Sequence, residues 1–273
     1  MLHSKRMLKS VLGRVAGASG AYEPAFRSTM MIVAFHRVND QLPGGALTCG
    51  SAKFEAFCRF FQKYAHVLPL SQQVAGCREG SDMLGTVSIT LDDGYLDNSE
   101  VAAPILRSLG LPATFFITTG FIGSRVIPPW DTDLPSQPGW MSWDNVRSLS
   151  SQGFEIGAHT DTHIDMGSAD EQTVRLELDV CKRKIKQEVG IDVQLFAYPF
   201  GDQRNITDKS REIVRNCGFV CCASCYGGLN QRGADPFRLR RIPIAEWFST
   251  PYQFGFEFLR TKDSPKVRRR SSA

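Results

Sequence analysis

The chain has 273 residues, of which 42% are hydrophobic and 22% charged, a composition typical of globular proteins that excludes collagen-like, disordered and coiled-coil classes. Its apolar runs fall short of the roughly 18 residues that a membrane-spanning helix needs, and its length allows one large domain or two small ones. The net charge of +4 is concentrated at the ends, since residues 1–27 and 262–273 each carry five basic and one acidic side chain, which leaves residues 28–261 net acidic. An acidic body lacks the basic surface that nucleic acids require, so we expect no nucleic-acid partner.

The N-terminal segment lacks the uninterrupted apolar stretch of a secretory signal peptide, because four basic side chains occur within its first 14 residues. Apolar and basic side chains alternate between residues 7 and 15 in a pattern that predicts a short amphipathic helix. We therefore predict a basic amphipathic leader over residues 1–27, a basic disordered tail over residues 262–273 and a cytoplasmic protein. Solvated ends are the simpler interpretation of the terminal charge, and weak contact with the inner membrane surface is the alternative.

Between these ends, apolar runs that predict strands alternate with amphipathic patterns that predict helices. The predicted strands cover residues 30–35, 87–91, 113–117, 154–156, 193–198 and 219–223. The predicted helices lie around residues 54–61, 101–109, 143–152, 170–189 and 207–216. Short connections imply a parallel sheet covered by helices, and at this length we predict a single α/β barrel over residues 28–261. The four prolines between Ile127 and Gly139 predict an excursion or lid.

Half of the eight cysteines cluster late in the chain, at Cys217, Cys221, Cys222 and Cys225. Cys222 and Cys225 form a single C-x2-C pair without a second pair at zinc-ribbon spacing. We therefore favour a short buried strand lined with small sulfur-bearing side chains, and a zinc knuckle is the alternative.

Candidate site residues lie at the carboxyl ends of three predicted strands, where catalytic groups collect in parallel α/β folds. These are Asp92 and Asp93, then His159 and His163, and then the segment Tyr198–Gly201. Taken alone, the two carboxylates before Gly94 could simply cap a turn. Two histidines four residues apart and one carboxylate, with an open position for water, are however the ligand set of a catalytic zinc or a related divalent ion. Asp93, His159 and His163 supply that set and leave Asp92 unbound beside it.

The sequences TLDDGY at residues 90–95 and HTDTH at residues 159–163 resemble the first two motifs of the polysaccharide deacetylases, the NodB-homology or carbohydrate esterase family 4 enzymes. PATFF at residues 112–116 and FAYPFG at residues 196–201 extend the similarity, which spans about residues 32–244. The resemblance implies a distorted (β/α) barrel and metal-dependent removal of acetyl groups from sugars. It also implies that Asp92 is the general base and that Asp93, His159 and His163 bind the divalent metal, for which we favour Zn2+ over Co2+, Ni2+ or Mn2+.

A deacetylation intermediate carries an oxyanion that needs a hydrogen-bond donor in addition to a metal. The resemblance implies that this donor is the backbone N–H of Phe200. Tyr95 and Tyr198, which lie in the same motifs, are expected beside the substrate or the oxyanion.

Two positions differ from the family's best-known pattern. Ala197 stands where the third motif begins with an arginine that orients the base, so we expect Arg240 or Arg241 to compensate and assign Arg241. The family's C-terminal histidine, which acts as general acid, has no counterpart after His163. His36 follows the predicted strand at residues 30–35 and resembles the histidine near the start of the biofilm-polysaccharide deacetylases. We assign His36 as the general acid, with a structural histidine as the alternative.

These residues predict a metal-dependent hydrolase that removes acetyl groups from a glycan or a lipid-linked sugar, by N-deacetylation of an N-acetylhexosamine unit. An amide or imide hydrolase acting on a small non-sugar molecule is one alternative, and a non-catalytic carbohydrate-binding protein is the other. The intact Asp92 argues against the binding protein, because binding alone has no use for a base beside a metal.

Overall fold

The computed structural model of the protein describes residues 2–262, in which helices and strands alternate along the chain. The helices are α1 (Leu2–Ala18), α2 (Tyr22–Arg27), α3 (Ser51–Tyr64), α4 (Leu70–Glu79), α5 (Ala103–Ser108), α6 (Trp143–Ser151), α7 (Glu171–Val189), α8 (Asp208–Asn216) and α9 (Pro251–Lys262). The strands are β1 (Met31–Phe35), β2 (Arg37–Val38), β3 (Thr48–Cys49), β4 (His66–Val67), β5 (Thr86–Leu91), β6 (Thr114–Ile117), β7 (Glu155–Ala158) and β8 (Ile242–Pro243). A π-helical turn, Asn98–Ala102, leads directly into α5.

The central strands form a closed parallel barrel. β7, β6, β5, β1 and β8 lie side by side in this order, and each neighbouring pair is parallel. Beyond β7 the ring continues through single bridges that join Ala158 to Phe196, Ala197 to Ala223 and Ala223 to Leu239, shortly before β8. This arrangement confirms the predicted distorted (β/α) barrel.

The two strands predicted at residues 193–198 and 219–223 are shorter than expected, because single residues pair there instead of a continuous ladder. The neighbouring backbone donors bond to turns: the Cys222 N–H donates to the Pro236 carbonyl, and the Cys225 N–H donates to the Gly201 carbonyl. These donors are therefore not available to a regular ladder. Cys221 and Cys222 are buried in this segment, as the sequence predicts.

Alternate residues of the barrel strands point to opposite faces, and both faces are apolar. Val33 and Phe35 of β1 belong to the outer cluster, where Phe35 packs edge-on against Phe54 and Phe57 of α3. Ile32 belongs to the inner cluster, whose other members from the barrel wall include Phe116, Leu195, Ala197, Cys221, Ala223 and Leu239. Burial of both faces explains why these strands are continuous apolar runs in the sequence.

The residues of the predicted leader form α1 and α2, which pack onto the body. α1 lies against α9, where Ser10 Oγ is 2.8 Å from Thr250 Oγ1. The Tyr22 hydroxyl of α2 donates to the Gly13 carbonyl at 2.8 Å. A Cβ at Gly13 would lie 1.9 Å from the Tyr252 carbonyl oxygen, so this close approach requires glycine.

The predicted C-terminal tail begins at residue 262, which is the last residue of α9. The rest of the predicted tail, residues 263–273, lies outside the described residues. Within residues 2–262, no helix combines the length and the apolar character that crossing a bilayer demands.

Candidate metal and catalytic site

The carboxyl ends of the barrel strands surround a cavity of about 450 Å3. Residues assigned from the sequence line it together: His36, Asp92, Asp93, His159, His163, Tyr198 and Phe200. Two further aromatic residues, Trp130 and Trp247, also form its wall and were not anticipated from the sequence. The fold therefore brings the predicted polar groups into one site.

Asp93, His159 and His163 form a compact cluster, in which the potential ligand atoms all lie within 4.8 Å of one another. Oδ1 of Asp93 is 3.3 Å from Nε2 of His159 and 3.4 Å from Nε2 of His163. Nδ1 of His159 is 2.8 Å from the carbonyl oxygen of Ala197. Because a carbonyl oxygen only accepts, Nδ1 carries a proton, which leaves Nε2 as the ring nitrogen that faces Asp93 and is available to a metal.

The surroundings of this cluster fit a divalent cation. All three side chains are buried, and Oδ1 of Asp93 accepts no hydrogen bond from any residue that the structure describes. Burial alone would raise the pKa of Asp93, but the imidazoles of His159 and His163 outweigh burial and hold that pKa well below its usual range. An ionised, unsatisfied carboxylate oxygen beside two imidazole nitrogens has the donor chemistry of a zinc-type site.

The clustered cysteines do not provide an alternative metal site. Among residues 2–262, Asp93, His159 and His163 are the only group of three potential ligands close enough together to hold an ion. The four clustered cysteines do not belong to such a group, so the zinc knuckle considered from the sequence is not formed.

Backbone strain is concentrated at this site. In the described part of the chain, the residues other than glycine with φ in the left-handed region are Asp93 (76°), Thr160 (64°), His163 (61°) and Phe200 (59°). Each conformation of this kind costs about 1–3 kcal/mol and persists only where surrounding contacts enforce it. Gly94, with φ of 92°, makes the turn after the two carboxylates as the sequence predicts.

Contacts from α7 fix the loop between the two histidines. The carboxylate of Glu177 accepts from the N–H groups of Asp161 at 2.9 Å and Thr162 at 2.8 Å, and from the Thr162 hydroxyl at 2.7 Å. Within the loop, Thr160 Oγ1 accepts from the His163 N–H at 3.0 Å. Sequence reasoning missed Glu177, because it lies on a strongly charged helix whose polar side chains are normally solvated.

Asp92 lies beside the cluster and is paired with Arg241. The Arg241 guanidinium donates from Nη1 to Oδ1 and from Nη2 to Oδ2 of Asp92, both at 2.7 Å. Both side chains are buried, and burial alone would raise the pKa of Asp92, but the charge of Arg241 outweighs it and lowers the pKa. Arg240 is exposed, so the structure selects Arg241 from the two arginines that the sequence offered.

Ala197 has a backbone role at the position where the family's best-known pattern has arginine. Its side chain is fully buried in the inner cluster, and its carbonyl accepts the hydrogen bond from His159. The cation beside Asp92 is therefore contributed by a different segment of the barrel, just before β8.

His36 directly follows β1 and lines the cavity, as its place in the sequence predicts. Its carbonyl accepts from Asn98 Nδ2 at 2.6 Å, whereas no residue in the described part of the chain forms a hydrogen bond with its imidazole. Burial lowers the pKa of His36, and the negative charges of Asp93 and Asp92 partly offset this. The position suits a proton donor to a bound substrate, and the role stays a prediction.

The predicted lid contributes Trp130 to the cavity. The ring centroid of Trp130 is 4.6 Å from that of His163 and 5.8 Å from that of Phe200. The next residue, Asp131, is fully buried and accepts from Arg37, with which it forms a buried ion pair. This pair anchors the lid to the barrel, and its acidic member could not be recognised inside a proline-rich loop.

Tyr95 lies behind the lid rather than in the cavity. Its side chain is fully buried, its ring stacks on Trp140 at 4.5 Å, and its hydroxyl donates to Asp131 at 2.8 Å and accepts from Trp130 Nε1 at 2.9 Å. The structure therefore gives Tyr95 an anchoring contact instead of the direct substrate contact expected from its motif. Arg241 likewise does not line the cavity and contacts it only through Asp92.

The segment Tyr198–Gly201 contributes Tyr198 and Phe200 to the cavity wall. Tyr198 is almost completely buried, whereas the Phe200 side chain is 51% exposed at the rim. The Phe200 N–H donates to no residue within the described range, so it is free to bind an oxyanion.

A closed parallel barrel with an Asp-His-His cluster and a separate carboxylate beside it has the groups that metal-assisted hydrolysis requires. The sequence model of the family described as polysaccharide deacetylase matches residues 81–222, just over half of the chain. The chain therefore belongs to the polysaccharide deacetylase family. The matched region contains the three clustered side chains, Asp92 and Phe200, but neither His36 nor Arg241.

Individual relatives agree with this assignment. YxkH of Bacillus subtilis (strain 168), whose name assigns it to the polysaccharide deacetylases, is 21% identical over 220 residues, which cover 80% of this chain and 72% of YxkH. The Streptococcus pyogenes deacetylase PplD in complex with acetate has a TM-score of 0.69 at 17% identity. The superposition covers 83% of this chain and 96% of the PplD chain. IcaB from Ammonifex degensii has a TM-score of 0.67 at 20% identity, and the superposition covers 84% of this chain and 97% of the IcaB chain. At these identities the two structures show a common fold.

Proposed function

We propose that this protein is a metal-dependent N-deacetylase that hydrolyses the acetamido group of an N-acetylhexosamine unit in a glycan or a lipid-linked sugar. One observation carries the proposal. Asp93, His159 and His163 form a ligand cluster, and the same cavity contains Asp92, which is not part of the cluster and is paired with Arg241. Acyl hydrolysis through activated water needs both a Lewis acid and a separate base.

Asp93, His159 and His163 would hold the cation, for which we favour Zn2+. A divalent cation held there would lower the pKa of a water molecule toward neutrality and would polarise the acyl oxygen. The hydrogen bond from His159 to the Ala197 carbonyl fixes the tautomer that such a ligand needs.

The other residues would move protons and stabilise charge. Asp92 accepts the proton of the attacking water, and the two bonds from Arg241 keep its carboxylate ionised and oriented. The free N–H of Phe200 donates to the oxyanion, and loss of one such donor typically slows acyl transfer by about 10²–10³. His36, which lines the same cavity, donates a proton to the departing amine, which is a poor leaving group unless it is protonated.

The cavity walls favour a sugar over a small imide. Trp130, Phe200 and Trp247 line the cavity together with the polar cluster, and aromatic rings suit the apolar C–H side of a pyranose ring. A protein that only bound carbohydrate would have no need for the buried and costly pairing of Asp92 with Arg241.

We place the protein in the cytoplasm, at or near the inner membrane surface. The eight free thiols support this location, because cysteines of exported proteins are commonly oxidised to disulfides. Subcellular fractionation tests it, and recovery in a periplasmic or culture fraction would refute it.

An acetate-release screen tests the activity. The substrates are N-acetylglucosamine oligomers, a lipid-linked N-acetylhexosamine and O-acetylated xylan, each incubated with wild type, Asp92→Asn and the surface control Asp192→Asn. We expect acetate from an N-acetylated substrate, a rate lower by at least about 10² in Asp92→Asn, and no change in Asp192→Asn.

Each other result points elsewhere. Acetate from xylan alone would make the protein an O-deacetylase, and hydrolysis of a small cyclic imide without acetate from any sugar would favour the non-sugar hydrolase. Oligosaccharide binding without turnover would indicate a binding protein. Full activity in Asp92→Asn would remove the base assignment.

A further inference from the structure

α1 carries an exposed apolar stripe that the hydrolase site does not use. Of the nine large hydrophobic side chains exposed between residues 4 and 261, five lie on this helix, with exposures of 41–61%: Met7, Leu8, Val11, Leu12 and Val15. At about 100° per residue they fall within roughly 140° of the helix circumference. Contiguous apolar surface of this kind marks an interaction site.

The opposite face of α1 is already packed against the body. Ser10 and Gly13 are buried there, and Lys9 Nζ forms a salt bridge of 2.8 Å with Glu257 of α9. Nη1 of Arg6 donates to the Glu246 carbonyl at 3.4 Å, next to the Trp247 that lines the cavity. The helix is therefore held in an orientation that leaves the stripe facing outward.

Positive charge flanks the stripe on both sides. Lys5 and Arg14 are exposed and lie about 20° beyond its two edges on the helix circumference. Neither forms a salt bridge with residues of the described range, and the Arg14 guanidinium lies 5.4 Å from the ring centroid of Tyr252. α1 contains no acidic side chain. The sequence after α9 adds further positive charge at Lys266, Arg268, Arg269 and Arg270.

We propose that α1 is an interfacial helix that binds the surface of an anionic lipid bilayer. The stripe would enter the boundary between headgroups and acyl chains, and Lys5 and Arg14 would contact anionic headgroups. A second copy of the chain is a poorer occupant, because a symmetric pairing through α1 would bring its uncompensated cations against each other. This inference does not depend on the proposed hydrolase activity.

Co-sedimentation with vesicles tests the proposal. Wild-type protein should sediment with phosphatidylcholine vesicles that contain phosphatidylglycerol, less so at high salt, and only weakly with phosphatidylcholine alone. Leu8→Ser/Leu12→Ser should reduce the partition coefficient at least about tenfold. Lys5→Gln/Arg14→Gln should reduce it about 25-fold on anionic vesicles, since each basic residue contributes about fivefold.

Matched controls lie elsewhere on the surface. Leu176→Ser removes an apolar side chain of α7 that is 61% exposed, and Arg78→Gln/Arg183→Gln removes two exposed charges away from α1. Both controls should sediment like wild type. Met7→Ser/Val15→Ser repeats the apolar test if the first double variant unfolds early in thermal denaturation.

Three results would overturn the proposal. The first is wild-type protein that stays in the supernatant with anionic vesicles at low salt, and the second is equal sedimentation of wild type and all variants. The third is a stable dimer in sedimentation equilibrium that Leu8→Ser/Leu12→Ser converts to a monomer, which would assign the stripe to a second copy of the chain.

Discussion

The guanidinium of Arg241 donates to both carboxylate oxygens of Asp92 inside the barrel, with two N···O distances of 2.7 Å. Asp92 follows β5, whereas Arg241 immediately precedes β8, so the pair joins distant parts of the chain. Both groups are removed from water, and each therefore depends on the other for charge compensation.

Loss of the cation should affect both stability and catalysis. We expect Arg241→Met to lower the free energy of unfolding by about 3–5 kcal/mol, because it leaves a buried carboxylate unpaired. The pKa of Asp92 should also rise, so that more of the carboxyl is protonated and cannot accept a proton from water. Urea denaturation and acetate-release rates measure the two effects, with the exposed neighbour Arg240→Met as control. Wild-type stability and rate in Arg241→Met would show that the pair matters for neither.

Glu177 should control the affinity for metal without being a ligand. Glu177→Ala removes three hydrogen bonds that fix the loop between the two histidines, and the loss of such outer contacts typically weakens metal binding about 10–100-fold. Glu188→Ala, at an exposed position of the same helix, should bind metal like wild type. Competition with a chromophoric chelator measures both affinities, and equal affinities in the two variants would contradict this role.

Asp131 should determine whether the lid stays closed over the cavity. Asp131→Ala leaves Arg37 buried without its partner and should cost about 3–5 kcal/mol of stability. Trp130 should then become more solvent-exposed, which shifts tryptophan emission to longer wavelength and raises KM. The exposed neighbour Asp133→Ala is the control. If the tryptophan emission of Asp131→Ala and its resistance to limited proteolysis both equal those of wild type, the lid is held by other contacts.

His36 should act on proton transfer and not on metal binding. We expect His36→Ala to reduce turnover by about 10²–10⁴ while bound metal per chain stays at the wild-type level. His66→Ala provides a control, because His66 is exposed and far from any predicted role. If His36→Ala retains wild-type turnover, His36 is a structural residue.

The strand-end motifs could be predicted from the sequence because they depend on local patterns. A buried parallel strand is a short apolar run, and the first polar residues after it must lie at the carboxyl edge of the barrel. His36, Asp92, Asp93 and His159 each follow such a run closely, and in the structure they line one cavity. The end of a helix also depends on a local signal. Gly190, for example, follows α7 and adopts a φ of 82°, which favours glycine.

The burial of Arg241 could not be predicted in the same way. Leu239 belongs to the inner cluster and Arg241, two residues later, lies on the same face, but strand periodicity usually reserves that face for apolar side chains. Asp131 and Glu177 were missed for a related reason: their roles come from partners distant in sequence, Arg37 for one and the histidine loop for the other. The orientation of α1 also depends on tertiary contacts, which decide that its apolar side faces outward.

The dependence of acetate release on bound metal tests the central claim most directly. Protein stripped by a chelator is loaded stepwise with Zn2+, and bound metal and acetate-release rate are measured on the same samples. We predict that the rate rises in proportion to metal up to one ion per chain and that His163→Ala neither retains the ion nor recovers activity. Full activity in the stripped protein, or wild-type metal binding in His163→Ala, would contradict the assignment of Asp93, His159 and His163 as the site of a metal-dependent deacetylase.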